Sequence, residues 1–143
     1  MCRSTLQTVA MGNDTAVEPS VRVLLASSNA DLSNILWRTV THDGRFEVVE
    51  RATDGDAVVT FTGSYDVAVV DLAISGLGVL GVLERLKEGL APPTVVVLST
   101  ADAIYLRHAA EAEGVADFVV VPAELNQLAE RLLQAVSGTS VGG

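Results

Sequence analysis

Asp66-Val67-Ala68-Val69-Val70-Asp71 is a run of four apolar residues, three of them valine, closed at each end by aspartate. A run this short and continuous suits a parallel β-strand buried on both faces, since a strand with one wet face would alternate apolar and polar residues. Similar runs, rich in Val and Leu, occur on either side: Val21–Ala26, Phe46–Glu50, Thr94–Ser99 and Asp117–Val121. Together with Asp66–Asp71 they give five predicted strands.

Between and after the strands the apolar spacing changes to a helical period. Helices are predicted over Asp31–Thr41, Gly55–Thr62, Leu77–Glu88, Ala103–Glu113 and Glu124–Val136, with Gly44, Gly63, Gly89 and Gly114 as stop signals. Regular strand–helix alternation with right-handed crossovers predicts an α/β fold: an open parallel sheet between two layers of helices. Ligands in such sheets bind beyond the carboxyl ends of the strands, where strand order reverses. The residues to inspect therefore stand at strand ends: Ser27 and Ser28, Asp71, Ser99 and Val121.

Composition bounds the function. The chain has 143 residues, 49% of them hydrophobic, enough for one well-buried core and too few for two ordinary domains. One domain is expected over residues 21–137, with disordered segments at 1–20 and 138–143. Eighteen acidic against nine basic residues give a net charge of -9, with no basic run, so direct nucleic-acid binding and anionic membrane surfaces are disfavoured. Cys2 is the only cysteine, which excludes an intramolecular disulfide and a thiolate metal site. The first twenty residues have no sustained apolar segment, and no stretch reaches the ~18 apolar residues of a membrane span, so the expected location is the cytoplasm. Met11 offers a second start site.

At its strand ends the chain resembles the receiver domain of bacterial two-component response regulators, the CheY-like family. The matching pieces are Val21-Arg22-Val23-Leu24-Leu25, Ala52-Thr53-Asp54-Gly55-Asp56-Ala57, Asp66 to Leu72, Val95-Val96-Val97-Leu98-Ser99, and Gly114-Val115-Ala116-Asp117-Phe118 leading to Pro122. They cover about residues 21–137, in order and at the family's spacing. The resemblance implies a flavodoxin-like (βα)5 three-layer sandwich with strand order 2-1-3-4-5. It places Asp71 at the phosphoacceptor position, Ser99 at the hydroxyl that senses the phosphoryl group, and Phe118 at the aromatic that moves with it.

The departures from that family are also specific. Ser27 and Ser28 stand where receivers carry the acidic pair that holds Mg²⁺, and Val121 stands where they carry a phosphoryl-neutralising lysine. Two hydroxyls replace two hard, charged ligands, so Mg²⁺ binding is expected to be weak or absent, with no other cofactor and no enzyme activity. Phosphoryl transfer depends on positioning and charge neutralisation, and losing both should slow it by orders of magnitude. Ser75 replaces the usual proline of the following loop, and Gly78-Val79 the usual Asp-Gly, which predicts a reshaped loop.

Each of these residues also has a plain structural reading: Asp71 as a cap for backbone N–H groups, Ser27 and Ser28 as caps of the first helix, for which Asn29 and Asp31 are suitable too, Ser99 and Phe118 as packing. His42 and His108 lie far apart in sequence with no partner at ligand spacing, so no metal site is assigned to them. Gly76-Leu77-Gly78-Val79-Leu80-Gly81 spells G-x-G-x-x-G, but it follows the third strand rather than the first, which argues against a dinucleotide site.

Two surfaces are candidates for partners. On the first helix Leu32, Ile35, Leu36 and Val40 form the core stripe, which leaves Trp37 off it. On the fifth, Leu125, Leu128, Leu132 and Val136 form the stripe, with Leu133 displaced. Trp37 and Leu133 could thus share an apolar patch. The second surface joins the fourth helix, with Tyr105, Leu106 and Arg107, to the fifth; receivers often dimerise there. The chain ends soon after the fifth helix, so any output is expected to pass through contacts of this domain. Three functions follow: an atypical stand-alone receiver acting by protein–protein interaction, with a histidine kinase, a downstream regulator or its own copy as partner; a receiver still phosphorylated at Asp71; or a small-molecule sensor.

Overall fold

The computed structural model describes residues 21–89, 91–99 and 103–137. The expected disordered segments at 1–20 and 138–143, with Cys2 and Met11, lie outside the described residues. Five strands and five helices alternate: β1 Val21–Ala26, α1 Ala30–His42, β2 Phe46–Ala52, α2 Gly55–Thr60, β3 Val67–Asp71, α3 Gly78–Lys87, β4 Thr94–Ser99, α4 Ile104–Ala112, β5 Asp117–Val120 and α5 Leu128–Ser137. A turn of 3₁₀ helix, Leu125–Gln127, leads into α5.

All four strand pairings are parallel, and the sheet order is β2-β1-β3-β4-β5. Strand order reverses between β1 and β3, the switch point at which such sheets place their sites. Successive side chains on a strand point to opposite faces, so each strand supplies both layers of core. Leu24, Ala26, Ala68, Val70, Val95 and Val97 join Val58 of α2 and Val82 of α3 on one face. Val23, Leu25, Val67, Val69, Val96 and Leu98 join Leu36 and Val40 of α1 and Leu128 and Leu132 of α5 on the other. This two-sided burial is why the central strands β3 and β4 read as nearly unbroken apolar runs.

The structure adjusts several sequence-based boundaries. β2 continues past Glu50 to Ala52, because the register shifts after Val23 and lets Leu24, Leu25 and Ala26 pair with Glu50, Arg51 and Ala52. α2 stops at Thr60, two residues early, and α5 begins at Leu128 after the 3₁₀ turn.

On α1 the core face is Ser33, Leu36 and Val40, while Ile35, expected in the stripe, is 42% exposed. At the Ser33 edge Arg51, near the end of β2, donates to Ser33 Oγ at 3.0 Å and to Asn34 Oδ1 at 2.7 Å, which gives the buried Ser33 hydroxyl a partner. Trp37 is exposed, with the Arg51 guanidinium 5.8 Å from its ring centroid. Leu133 instead packs against the core, so the expected Trp37–Leu133 patch reduces to Trp37 and its neighbours on α1.

Candidate functional site

The ends of β1, β3 and β4 converge on Asp71. Its half-buried carboxylate accepts a hydrogen bond from Ser27 Oγ at Oδ2 (2.9 Å) and from the Ala73 backbone N–H at Oδ1 (3.0 Å). The expectation that Asp71 caps backbone N–H groups therefore holds for one of its oxygens. Ser27 is buried, and besides donating to Asp71 it accepts from the Asn29 N–H at 3.1 Å.

The two serines after β1 do not cap α1 through their side chains, as their position in the sequence suggests. Asn29 does so, its Oδ1 accepting from the Leu32 N–H at 3.0 Å. Ser28 ties three segments together. Its hydroxyl donates to the Thr53 carbonyl at 2.9 Å, accepts from the Ser75 N–H at 2.8 Å, and lies 2.8 Å from Ser75 Oγ. With its own proton committed to Thr53, the Ser75 hydroxyl is the donor in that last pair. Ser75, noted in the sequence as a replacement for proline, thus belongs to a polar clasp that needs its N–H, which proline lacks.

The clasp shapes the loop after β3. Gly55 N–H donates to the Ser75 carbonyl at 2.9 Å. Gly76 and Gly78 both adopt φ of +77°, and a Cβ on Gly76 would stand 2.6 Å from Asp56 Oδ2. Gly76, the first glycine of the G-x-G-x-x-G stretch, therefore serves the approach of this loop to the acidic start of α2, surroundings that would repel a dinucleotide phosphate.

Ser99, at the end of β4, is 2% exposed, and its Oγ has no hydrogen-bond partner among the described residues. Such a group costs about 1–3 kcal/mol relative to a paired one. Its carbonyl accepts from Val121 N–H at 2.9 Å, which brings Val121 to the same edge. Asp71, Ser99 and Val121 line one pocket of about 260 Å³ with Asn29, Leu32 and Leu106. Among the described residues Asp71 is the only charged one in its wall. A neighbouring cleft of about 390 Å³ is lined by Ser27, Ser28 and Arg51. Among the described residues no group of three or more His, Cys, Asp or Glu comes together in a way that could hold a metal ion.

Phe118 points into the core, 6% exposed, and Arg107 of α4 lies over its ring, 4.8 Å from the centroid. Below it Arg131 of α5 grips Asp117 through Nε (2.7 Å) and Nη2 (3.0 Å) and also donates to the Phe118 carbonyl. Burial would raise the Asp117 carboxyl, but the Arg131 guanidinium outweighs it and leaves the group below its usual range. The sequence reading missed Arg51 and Arg131, and it named Arg107 only as part of a candidate partner surface, without its contact to Phe118. Arg51 follows the predicted end of β2, and the other two sit on helix faces where a lone arginine carries no signal until its partner is known.

The sheet order and its two helix layers define the class: the fold is that of the receiver domains of response regulators. One solved example, the receiver domain of the Francisella response regulator 1452, superposes with a TM-score of 0.74 at 21% identity, over 85% of this chain and all of that one. In sequence the chain is 39% identical over 89 residues to protein-glutamate methylesterase/protein-glutamine glutaminase 5 of Myxococcus xanthus, covering 61% of this chain and 25% of that protein. It is 28% identical over 114 residues to the transcriptional regulatory protein TcrA of Mycobacterium tuberculosis, covering 78% of this chain and 44% of that one. The chain thus spans less than half the length of either curated relative. No protein-family model matches it. Among the described residues no helix is long and apolar enough to cross a membrane.

Proposed function

We propose that this chain is a receiver-type module of two-component signal transduction that works mainly through protein–protein contacts, with Mg²⁺-dependent phosphorylation of Asp71 weak or absent. Its partner is a histidine kinase, a downstream regulator or a second copy of the chain. The supporting observation is the 2.9 Å hydrogen bond from Ser27 to Asp71, a neutral donor where the resemblance calls for an acidic pair. Mg²⁺ favours hard oxygen ligands in near-octahedral geometry, commonly from carboxylates. Among the described residues Asp71 is the one carboxylate in the pocket wall, and the Ser27 hydroxyl already directs its proton at it. These residues do not fit a strong Mg²⁺ site. Val121 lines the pocket where an ammonium would neutralise phosphoryl oxygens, so the second source of positive charge is also replaced by an apolar side chain. Without either charge, the transition state for phosphoryl transfer gains little from this site.

The test is incubation of the full chain with acetyl phosphate and Mg²⁺, followed by intact mass measurement. The expected result is unmodified protein. A stoichiometric phosphoryl adduct that disappears in Asp71→Asn would overturn the proposal in favour of a working phosphoacceptor.

A further inference from the structure

Going beyond the interaction role, we infer that the pocket at the ends of β3 and β4 is a binding site for a small organic cation, an amine with an apolar body. Three observations converge on this chemistry. The first is the pocket's size: about 260 Å³, just below the ~300–1,000 Å³ usual for ligand pockets, which limits the occupant to a small molecule.

The second is the character of the wall. Leu32, Leu72, Leu98, Leu106 and Val121 make most of it apolar, and Asp71 supplies the single charge among the described residues. No ion pair within 4.0 Å joins Asp71 to a cationic side chain among those residues. Each of its carboxylate oxygens receives one hydrogen bond, from Ser27 or from the Ala73 N–H, and each keeps a lone pair for a further donor. An ammonium group is the donor that answers both the charge and the free lone pairs, and its attraction to a half-buried carboxylate beside apolar walls is stronger than in bulk water.

The third is Ser99. It lines the same wall, is 2% exposed, and has an Oγ with no partner among the described residues. Buried hydroxyls are nearly always paired with protein, water or ligand, so one left over in a pocket wall is a hydrogen-bonding group that an occupant can satisfy. Anionic ligands are disfavoured by Asp71 and by the chain's net charge of -9, and a fully apolar ligand would leave both Asp71 and Ser99 unanswered.

The test is amide chemical-shift titration of the isotopically labelled full chain with benzylamine, and with benzyl alcohol and benzoate as neutral and anionic probes of the same shape. Saturable shifts around Asp71, Ala73, Ser99 and Val121 are expected for benzylamine, with at least about ten-fold weaker binding of benzyl alcohol and none of benzoate. Asp71→Asn should weaken benzylamine by a similar factor. Val121→Lys, which delivers an ammonium from the chain itself, should abolish the shifts while thermal melting shows the variant folded. Equal affinity for benzylamine and benzyl alcohol, an unchanged affinity in Asp71→Asn, or no saturation up to about 10 mM benzylamine would overturn the inference. A parallel Mg²⁺ titration keeps the two proposals apart: saturable Mg²⁺ binding at the same amides defeats the proposed function, whereas the cation site stands or falls on the amine series.

Discussion

Ser27 Oγ donates a 2.9 Å hydrogen bond to Asp71 Oδ2, joining the end of β1 to the end of β3 across the switch point of the sheet. The bond links two adjacent strands at the point where the fold places its chemistry. A hydroxyl there donates a hydrogen bond to the aspartate without adding charge. A carboxylate in the same place would repel it unless a cation lay between them.

Ser27→Asp combined with Ser28→Asp should therefore destabilise the chain at neutral pH in the absence of divalent ions, since carboxylates would crowd Asp71. Added Mg²⁺ should recover much of that loss in the double variant and leave the wild type nearly unmoved. Thermal melting with and without Mg²⁺ measures both. An equal rise in Tm in the wild type would show that the native residues already bind the ion.

Acid sensitivity has an identifiable source outside the site. The Asp43 carboxyl falls from 3.8 to about 2, chiefly because Arg45 hydrogen-bonds it, with contacts of 2.9 Å from Nε and 2.6 Å from Nη2. A folded-state pKa below the unfolded one contributes stability that is present above about pH 4 and lost as pH falls toward 2. Arg45 also reaches Glu130 of α5 at 2.9 Å, so the loop after α1 is tied to the last helix. Arg45→Met should flatten the decline of the urea midpoint between about pH 5 and pH 2.5. A decline as steep as in the wild type would assign the acid limb to other carboxylates.

Gly55 offers a case where helix propensity and packing disagree in sign. It opens α2, where alanine is the better helix former by propensity alone. Yet a Cβ there would lie 2.8 Å from Val82 Cγ2 and 3.1 Å from Leu77 Cβ, in the contact between α2 and α3. Gly55→Ala should cost about 1–3 kcal/mol through overpacking. Gly44 is the control: a Cβ there would meet nothing within 4 Å among the described residues and its φ is not positive, so Gly44→Ala should be close to neutral. Urea denaturation of the pair reads the difference directly; similar midpoints would mean that the α2–α3 contact yields freely.

The strands were legible because burial on both faces leaves one unambiguous pattern, as in Val67–Val70 and Val95–Leu98. The strand order and the placing of Asp71, Ser99 and Phe118 came from the family resemblance. What could not be read was set by side chains that meet only after folding. Ser33 is buried and Ile35 exposed, and the Ser33 hydroxyl finds its partner in Arg51 of the next strand. Likewise Ser28 and Ser75, 47 residues apart, form one clasp that no local spacing announces. Serine after a strand suggests a helix cap, and that local rule yielded to a tertiary hydrogen bond for Ser27 and Ser28.

Ser99 and Ser27, both 2% exposed, should respond to alanine in opposite directions. Ser27→Ala removes a donor from Asp71 and an acceptor from the Asn29 N–H, and should cost about 1–2 kcal/mol. Ser99→Ala removes a hydroxyl that has no partner among the described residues, so it ends a desolvation penalty and breaks no hydrogen bond to them. It should be neutral or stabilise the free protein by up to about 1 kcal/mol. Both values come from urea midpoints at unchanged m, which holds the extent of unfolding fixed. If Ser99→Ala proved as costly as Ser27→Ala, its hydroxyl would have to be paired in solution, and the pocket edge would be closed by a partner already bound there. A gain would instead mark Ser99 as a hydroxyl kept at a cost to stability, which is the behaviour expected of a residue retained for what it binds.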